Sequence, residues 1–284
     1  MSDDEEERDM TVDAAGEADA GQPEAGDAEA DEPGFNVVID QEITEEDDME
    51  VADLAVSGDD EEVLVPGGYP VLSLKHVSAS RKAHGHEEEV LSDLDLDFQL
   101  RRLYSVVTAT AAQRAALMAI MTGLKAPSAG TVFFRGTDIR QIEASDYRGH
   151  QIGAVFGRDA LREDLSPLDN LVYTMDACGR TFLGPKPNLA RNLLEEVGFP
   201  DRLVETRVAD LDAFDRELAS VARAVCCECD VLITDEPTGR VEPGEWDTLL
   251  ETLRKVSRKR DCAVIVLTSE NGDDGSYDER FIVN

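Results

Sequence analysis

Positive charge and long apolar stretches are both scarce in this sequence. Its 284 residues include 27 Lys and Arg against 62 Asp and Glu, a formal net charge of −35. We do not expect DNA or RNA as a direct partner, because phosphate binding needs clustered basic side chains. No apolar run reaches the roughly 18 residues that a membrane-spanning helix needs. The N-terminus is acidic where a secretory signal is basic, so we do not expect export either.

The acidic residues are concentrated at the start of the chain. Residues 1–66 hold 26 of the acids and a single base, Arg8, so the rest of the chain carries a net charge of only −10. Residues 1–34 have almost no large apolar residue and cannot bury enough surface to offset their ordering entropy. The short apolar segments at 35–39 and 63–65 could dock on a partner or on the folded body, with a solvated tail as the alternative. We therefore expect residues 1–66 to be a disordered acidic tail and residues 67–284 to be the folded domain.

Lysine is rare even among the bases, with 6 Lys against 21 Arg. An acidic, lysine-poor composition is similar to that of proteins from salt-loving archaea, whose carboxylate-rich surfaces stay soluble where salt screens their repulsion. The alternative is that one acidic tail inflates the total.

The sequence contains few cysteines, and their number is odd. The five cysteines are Cys178, Cys226, Cys227, Cys229 and Cys262. An odd count in a chain that is not expected to be exported argues against a disulfide framework. The cluster at 226–229 suggests a metal site, but the sequence offers neither a second ligand pair at metal spacing nor a nearby His. We interpret these cysteines as buried thiols.

Hydrophobic periodicity predicts an α/β fold. Alternating segments at 71–77 and 91–100 predict an antiparallel pair of strands, which suggests a small added sheet. Strands and helices then alternate, as is typical of a parallel sheet covered by helices. The further predicted strands are 103–107, 130–134, 152–156, 231–234, 263–267 and 281–283, and the predicted helices are 109–124, 187–199, 218–225 and 246–258.

The strongest motif is the segment VLITDEPTG at 231–239. An apolar strand ends there in two adjacent acids, Asp235 and Glu236, and a proline turn follows. At the carboxyl end of a parallel strand, these acids would face a crevice where ligands bind. One carboxylate can hold a water of Mg²⁺ while the next polarises an attacking water. Plain surface acids at a strand end are the alternative, which the DEPTG run disfavours.

This segment resembles the Walker B motif of ABC-type ATPases, in particular the lipoprotein-release and macrolide-export group. The resemblance covers residues 71–284 and rests on the segments 72–78, 90–94, 123–132, 136–139, 152–156, 165–171 and 221–224. It implies a P-loop NTPase-like domain with a mostly parallel sheet core and a small antiparallel β subdomain. It also implies a helical subdomain at about residues 158–225.

The segment that matches the family's phosphate loop departs from the pattern GxxGxGK[ST]. In that pattern the glycines let backbone N–H groups close on the phosphates, the Lys reaches the β/γ-phosphates, and the hydroxyl binds Mg²⁺. Here the three glycine positions are Thr108, Ala111 and Gln113, the Lys position is Arg114, and the hydroxyl positions are Ala115 and Ala116. Side chains would crowd the phosphates, and the larger arginine fork is aimed differently from a lysine.

The family's other nucleotide motifs are altered as well. The adenine-stacking aromatic falls on Arg81, the Q-loop Gln on Gly157, the switch His on Ser269 and the D-loop on 240–242, while the signature LSGGQ reads Leu211, Asp212, Ala213, Phe214 and Asp215. Arg81 could still stack weakly on a base. Asp212 would repel the γ-phosphate of a partner's ATP. Asp235, as a candidate Mg²⁺ ligand, and Glu236, as a candidate catalytic base, survive.

The resemblance implies a subunit that uses ATP and Mg²⁺ as cofactors and forms a dimer with composite sites. It would dock through its Q-loop face on an integral membrane permease, at the cytoplasmic face of the membrane. With these motifs altered we expect little or no ATP hydrolysis, since the loss of one preorganised donor alone can cost roughly 10²–10³-fold in rate.

The sequence is compatible with three functional hypotheses. The chain could be a weakly catalytic or non-catalytic ABC subunit, as a homodimer or beside an intact sister ATPase. It could be a regulatory or scaffold protein that kept only the fold, or an active ATPase with an unusual loop. Under the first two, Asp235 and Glu236 would persist for structural reasons, capping a helix or pairing with Arg114.

Overall fold

The computed structural model describes residues 69–83, 86–157, 161–236, 241–269 and 276–283. All of them lie within one unit of the chain, Glu62–Asn284. The predicted acidic tail, residues 1–66, lies outside the described residues.

The described residues form nine strands and six α-helices. The strands are β1 (Leu72–Ala83), β2 (His86–Phe98), β3 (Leu103–Thr108), β4 (Ala129–Phe134), β5 (Thr137–Asp138), β6 (Ile152–Val155), β7 (Val231–Asp235), β8 (Ala263–Thr268) and β9 (Glu279–Val283). The helices are α1 (Ala111–Met121), α2 (Ala144–Asp146), α3 (Pro167–Ala177), α4 (Lys186–Glu196), α5 (Ala213–Val225) and α6 (Pro243–Lys259). Short 3₁₀ turns lie at Ile139–Gln141, Asp201–Leu203 and Val208–Asp210, and a π-helical turn at Tyr147–Gln151.

The strands are divided between two sheets. An antiparallel sheet has the order β2-β1-β4-β5, and a parallel sheet has the order β6-β7-β8-β3-β9. The sequence-based prediction of a parallel core with a small antiparallel sheet is confirmed. In the parallel sheet, β3 and β8 are buried along their whole length, as expected for apolar strands covered on both faces.

Helix α1 packs between the two sheets. Its residues Leu117, Ile120 and Met121 have no exposed surface, and they belong to a core shared by the antiparallel sheet and one face of the parallel sheet. The helix that follows β3 is therefore held firmly along its length. Its N-terminus points out at the carboxyl edge of the parallel strands, where ligands bind in such sheets.

A group of helices is inserted between β6 and β7. Helices α3, α4 and α5 pack around a second core, which also covers the other face of the parallel sheet. Close backbone contact fastens this insertion to the sheet. A Cβ added at Gly153 in β6 would stand 2.4 Å from the carbonyl oxygen of Ala224 in α5 and 2.7 Å from the sulfur of Cys229.

Two helix boundaries differ from the sequence-based prediction for the same reason. Helix α1 begins at Ala111, not at 109, because the Thr110 side chain caps its first turn. Helix α5 begins at Ala213, five residues earlier than expected, because Asp212 caps it in the same way. Helix α3 was not predicted as a helix; Ser166 caps it and Pro167 occupies its first position.

In the part of the chain that the structure describes, none of the helices combines the length and apolarity required to cross a bilayer.

We expect Gly153→Ala to destabilise the fold by about 1–3 kcal/mol, because the added methyl group would overlap the backbone of α5. The matched control is Gly244→Ala in α6, where a Cβ would have no neighbour within 4 Å. That substitution should be neutral or stabilising by up to about 1 kcal/mol. Denaturant unfolding of the two variants measures the difference, and equal midpoints would contradict the close-packing argument.

Candidate functional site

The turn between β3 and α1, which matches the phosphate loop, is only two residues long. After Thr108, residues Ala109 and Thr110 make the turn, and the helix starts at Ala111. Thr110 has extended backbone dihedrals, and its hydroxyl accepts a hydrogen bond from the N–H of Gln113 at 3.1 Å. In return, the Gln113 side-chain oxygen accepts the N–H of Thr110 at 3.0 Å. These two bonds form a capping box.

The capping box uses backbone donors at the start of this helix. A glycine-rich phosphate loop would present such N–H groups to a ligand. Here the N–H groups of Thr110 and Gln113 already have acceptors within the chain, and the Gln113 side chain is buried. Ala111 and Ala115 are exposed on the first turns, and Ala116 is half-buried.

Arg114 connects this helix to the acids at the end of β7. Its Nε lies 2.7 Å from Oδ1 of Asp235, and the exposed fractions of the two side chains are 17% and 29%. The ion pair that we hypothesised from the sequence is therefore present. It joins the first turn of α1 to the strand that matches the Walker B motif.

Because Gly157 has no side chain, it leaves room for the Asp235 carboxylate. A Cβ at this position would stand 2.7 Å from Oδ2 of Asp235. Any larger residue, including the Gln of the family pattern, would require the carboxylate to move. Gly157, two residues after β6, and Arg114 of α1 thus both bear on the Asp235 carboxylate: one leaves room for it and the other pairs with it.

Glu236 is held by the end of the neighbouring strand β8. Its Oε2 accepts the Thr268 hydroxyl at 2.7 Å, the Ser269 N–H at 3.0 Å and the Ser269 hydroxyl at 3.5 Å. Thr108 reaches the same strand end, because its hydroxyl donates to the carbonyl of Thr268 at 3.2 Å. Ser269, predicted to stand at the switch-histidine position, therefore hydrogen-bonds Glu236 through both its N–H and its hydroxyl.

The signature segment forms the N-terminus of α5. The Asp212 carboxylate accepts the N–H of Asp215 at 2.8 Å, Ala213 opens the helix, and Phe214 packs partly buried against the helical core. Asp215 is nearly buried. Burial and then the negative charge of Asp212 raise the pKa of the Asp215 carboxyl above its ordinary value. The Asp212 carboxylate thus already places a negative charge at this helix N-terminus. It would repel a second anion there, although helix N-termini in general favour anions.

Arg81 lies in β1 and is paired across the hairpin. Its guanidinium contacts the Glu88 carboxylate of β2 at 2.8 and 2.9 Å, and the pair is exposed. Stacking on an adenine would require the arginine to leave this partner.

Residues 237–240, which include part of the DEPTG run and Arg240, lie outside the described residues. Thr110 and Thr268 were missed as site residues. The spacing of Thr110 and Gln113 follows the capping-box pattern and could have revealed the first, whereas the contact of Thr268 with Glu236 depends on strand pairing.

One exposed group among the described residues has the geometry to hold a metal ion. It consists of His76, Asp93 and Asp95 in the antiparallel sheet, outside the crevice. The His76 Nδ1 lies 2.9 Å from an Asp93 oxygen, and this hydrogen bond raises the pKa of His76.

Comparison with known proteins identifies the family. A family model described as ABC transporter matches residues 91–239. The chain belongs to the ABC transporter ATP-binding family. This cassette is 30% identical over 201 residues to the lipoprotein-releasing system ATP-binding protein LolD of Myxococcus xanthus, a match that covers 70% of this chain and 89% of that relative. LolD of Geobacter metallireducens is also 30% identical, over 203 residues that cover 69% and 89% of the two chains.

The cassette also matches solved structures. A dimeric ATP-binding cassette in a post-hydrolysis state with ADP and Pi superposes with a TM-score of 0.67 at 17% identity, covering 75% of this chain and 94% of that one. At this identity the likeness shows the fold alone. The resemblance to ABC ATPases inferred from the sequence is confirmed at the level of family and fold.

We expect the Arg114–Asp235 pair to stabilise the cassette. In a double-mutant cycle, Arg114→Met and Asp235→Asn should each destabilise the fold, because either substitution alone removes the ion-pair partner of a half-buried side chain. The coupling energy between the two substitutions should be about 1–3 kcal/mol. The control is the exposed pair Arg101–Asp261, whose side chains are 63% and 64% exposed.

The control pair should couple by less than about 1 kcal/mol. Denaturant unfolding of each single and double variant gives both values. Strictly additive effects at Arg114 and Asp235 would show that the pair contributes nothing.

Proposed function

We propose that this chain is an ABC transporter nucleotide-binding-type subunit that hydrolyses little or no ATP. In this proposal it acts as a structural partner of a membrane permease, beside an active sister ATPase. The single observation that carries the proposal is the self-contained β3–α1 junction. There the capping box of Thr110 and Gln113 uses backbone donors, and Arg114 is bound to Asp235.

The residues present do not fit Mg²⁺-ATP in the manner of the family. The buried side chain of Gln113 lies at a position where the pattern has glycine, and a phosphate would have to displace it. Asp235, the candidate Mg²⁺ ligand, is engaged by a guanidinium, and Ala115 and Ala116 carry no hydroxyl for the ion. Phosphoryl transfer depends on positioning and charge stabilisation, so these losses act on the same step.

The second half of a composite site is altered in a way that supports the same proposal. In a dimer, the signature of this chain would face the ATP of its partner. Asp212 brings a carboxylate to that helix end where the family pattern has a serine. An active sister ATPase would therefore meet a repulsive signature here. Its own signature would in turn face the capped β3–α1 junction, so each composite site formed with this chain would lack one of its two halves.

The face that would meet a permease in this proposal carries exposed apolar side chains beside a cleft. Phe156, one residue before Gly157, is 37% exposed, and Leu124 is 58% exposed. Both line a cavity of about 190 Å³ between the sheet core and the inserted helices, together with Thr174 of α3. Exposed apolar side chains beside such a cleft favour contact with an apolar segment of a partner.

We also propose the arrangement of the whole chain. Residues 67–284 would form the ATPase-like domain at the cytoplasmic face of the membrane, with a helical subdomain near 158–225. Residues 1–66 would extend from it as an acidic tail. The acidic, lysine-poor composition suggests a salt-rich cell interior, so tests should be run at high salt.

The first test is ATP binding by the purified chain, with Mg²⁺ at high salt, by calorimetry. We expect the natural sequence either not to bind ATP or to bind it with a Kd weaker than about 1 mM. A variant with the family loop should gain binding; its substitutions are Thr108→Gly, Ala111→Gly, Gln113→Gly, Arg114→Lys and Ala115→Ser. The control is Ala115→Ser alone, which restores the hydroxyl but leaves the capping box.

ATP turnover by the natural sequence that Glu236→Gln abolishes would overturn the proposal and support an active ATPase with an unusual loop. Binding without turnover would reject only the argument that the junction excludes phosphate.

The second test addresses the permease. In native cells, the chain should sediment with membranes, and Phe156→Glu should move most of it to the supernatant by putting a charge into the apolar cleft. Ile282→Glu is the matched control, because this exposed residue lies on β9 at the opposite edge of the parallel sheet from β6. If the natural chain and the Phe156→Glu variant divide in the same way between the membrane and supernatant fractions, the result would favour a scaffold role away from the membrane.

A further inference from the structure

The cavity that Leu124 and Phe156 line carries positive charge, although the chain as a whole is strongly acidic. Its volume is about 190 Å³, and the basic side chains of Arg148, His150 and Arg223 also line it. None of the described residues that line it is acidic, whereas the sequence holds 62 acids against 27 bases. The electrostatics of this cavity therefore favour a ligand with negative charge.

Arg223, in helix α5, is withdrawn from water beside this cavity without a carboxylate partner among the described residues. Its Nη2 donates to the backbone carbonyl of Ala154 at 2.9 Å. Burial lowers the pKa of its guanidinium, and the groups of the described chain that oppose this effect are the buried thiols of Cys226 and Cys227. Arginine nevertheless stays protonated in proteins. Withdrawing its charge without an opposite charge costs free energy, which a bound anion would offset.

The basic side chains also have hydrogen-bonding capacity that the described chain does not use. The Nε of Arg223 and the Nδ1 of His150 are buried, and neither has a hydrogen-bond partner among the described residues. Arg148 is exposed, and its Nη1 donates to the carbonyl of Gly123 at 3.1 Å, which leaves its other donors to meet an incoming ligand. A carboxylate suits such a lining, because its two oxygens match the planar fork of an arginine.

The rest of the lining suits an apolar body. Leu124, Ile152 and Phe156 contribute apolar side chains, and Phe156 offers an aromatic ring for stacking. An apolar cavity of roughly 150 Å³ is large enough to hold a benzene ring. At about 190 Å³, this cavity has room for such a ring together with a carboxylate group.

We propose that this cavity binds a small carboxylate anion whose apolar body is about the size of a benzene ring. The carboxylate would pair with Arg148 and Arg223, and the apolar body would lie against Leu124, Ile152 and Phe156. Such a ligand would contact β6 and α5 together, and would so hold the inserted helices against the parallel sheet. The site lies outside the β3–α1 junction and needs no permease, so its failure would leave the proposed function untouched.

The test is calorimetric titration of the full chain with benzoate, and with benzamide as an uncharged analogue of nearly the same shape. One benzoate should bind per chain with a Kd of about 1 mM or tighter, and benzamide should bind at least about tenfold more weakly. Arg148→Gln, at an exposed position where folding is not at risk, should weaken benzoate binding at least about tenfold and leave benzamide binding unchanged. The matched control is Arg101→Gln, which removes an exposed arginine outside the cavity and should bind benzoate like the natural chain.

A second measurement locates the ligand. Nuclear Overhauser effects between the benzoate ring and the methyl groups of Leu124 and Ile152 should place the ring in the cavity, and contacts to methyl groups elsewhere would overturn the proposal. Equal affinity for benzoate and benzamide would also overturn it, because the charge would then play no part. Natural affinity in the Arg148→Gln variant, the same loss in the Arg101→Gln variant, or no benzoate binding by the natural chain would each reject it as well.

Discussion

The arrangement of the crevice depends on one ion pair, between Arg114 in the first turn of α1 and Asp235 at the end of β7. Helix α1 is fixed by its burial between the sheets, and β7 is fixed between β6 and β8. The guanidinium joins two rigid elements across the space where the family binds the phosphates and their metal ion. Because the positive charge belongs to the chain, the carboxylate needs no ligand to balance it.

The other contacts of the crevice are consistent with that pair. A capping box fixes the start of α1 at Ala111, which sets the turn in which Arg114 lies. Gly157 leaves room for the Asp235 carboxylate, and Thr268 and Ser269 hold Glu236 on the neighbouring strand. Thr108, Asp235, Glu236 and Thr268, at the strand ends, each have a partner within the chain. These contacts come from several elements, so a single substitution would leave the others in place.

Local pattern was enough to predict the division into sheets and the placement of two acids directly after the core of β7. The Arg114–Asp235 pair could also be predicted, because the family pattern brings both positions to the same crevice. Contacts that depend on how distant segments pack could not. The Asp235 carboxylate lies beside Gly157 only because β6 pairs with β7. The early start of α5 was missed because Asp212 was interpreted as a lost signature residue and not as a helix cap.

The positive charge of Arg114 is part of the chain, so the balance of charge at the end of β7 does not depend on a bound ligand. The same junction uses the backbone N–H groups of Thr110 and Gln113 within its capping box. The helices inserted between β6 and β7 pack around a different core, and the cleft that Phe156 lines adjoins them. A role that needs only the packed fold and this cleft would therefore not depend on nucleotide binding at the junction.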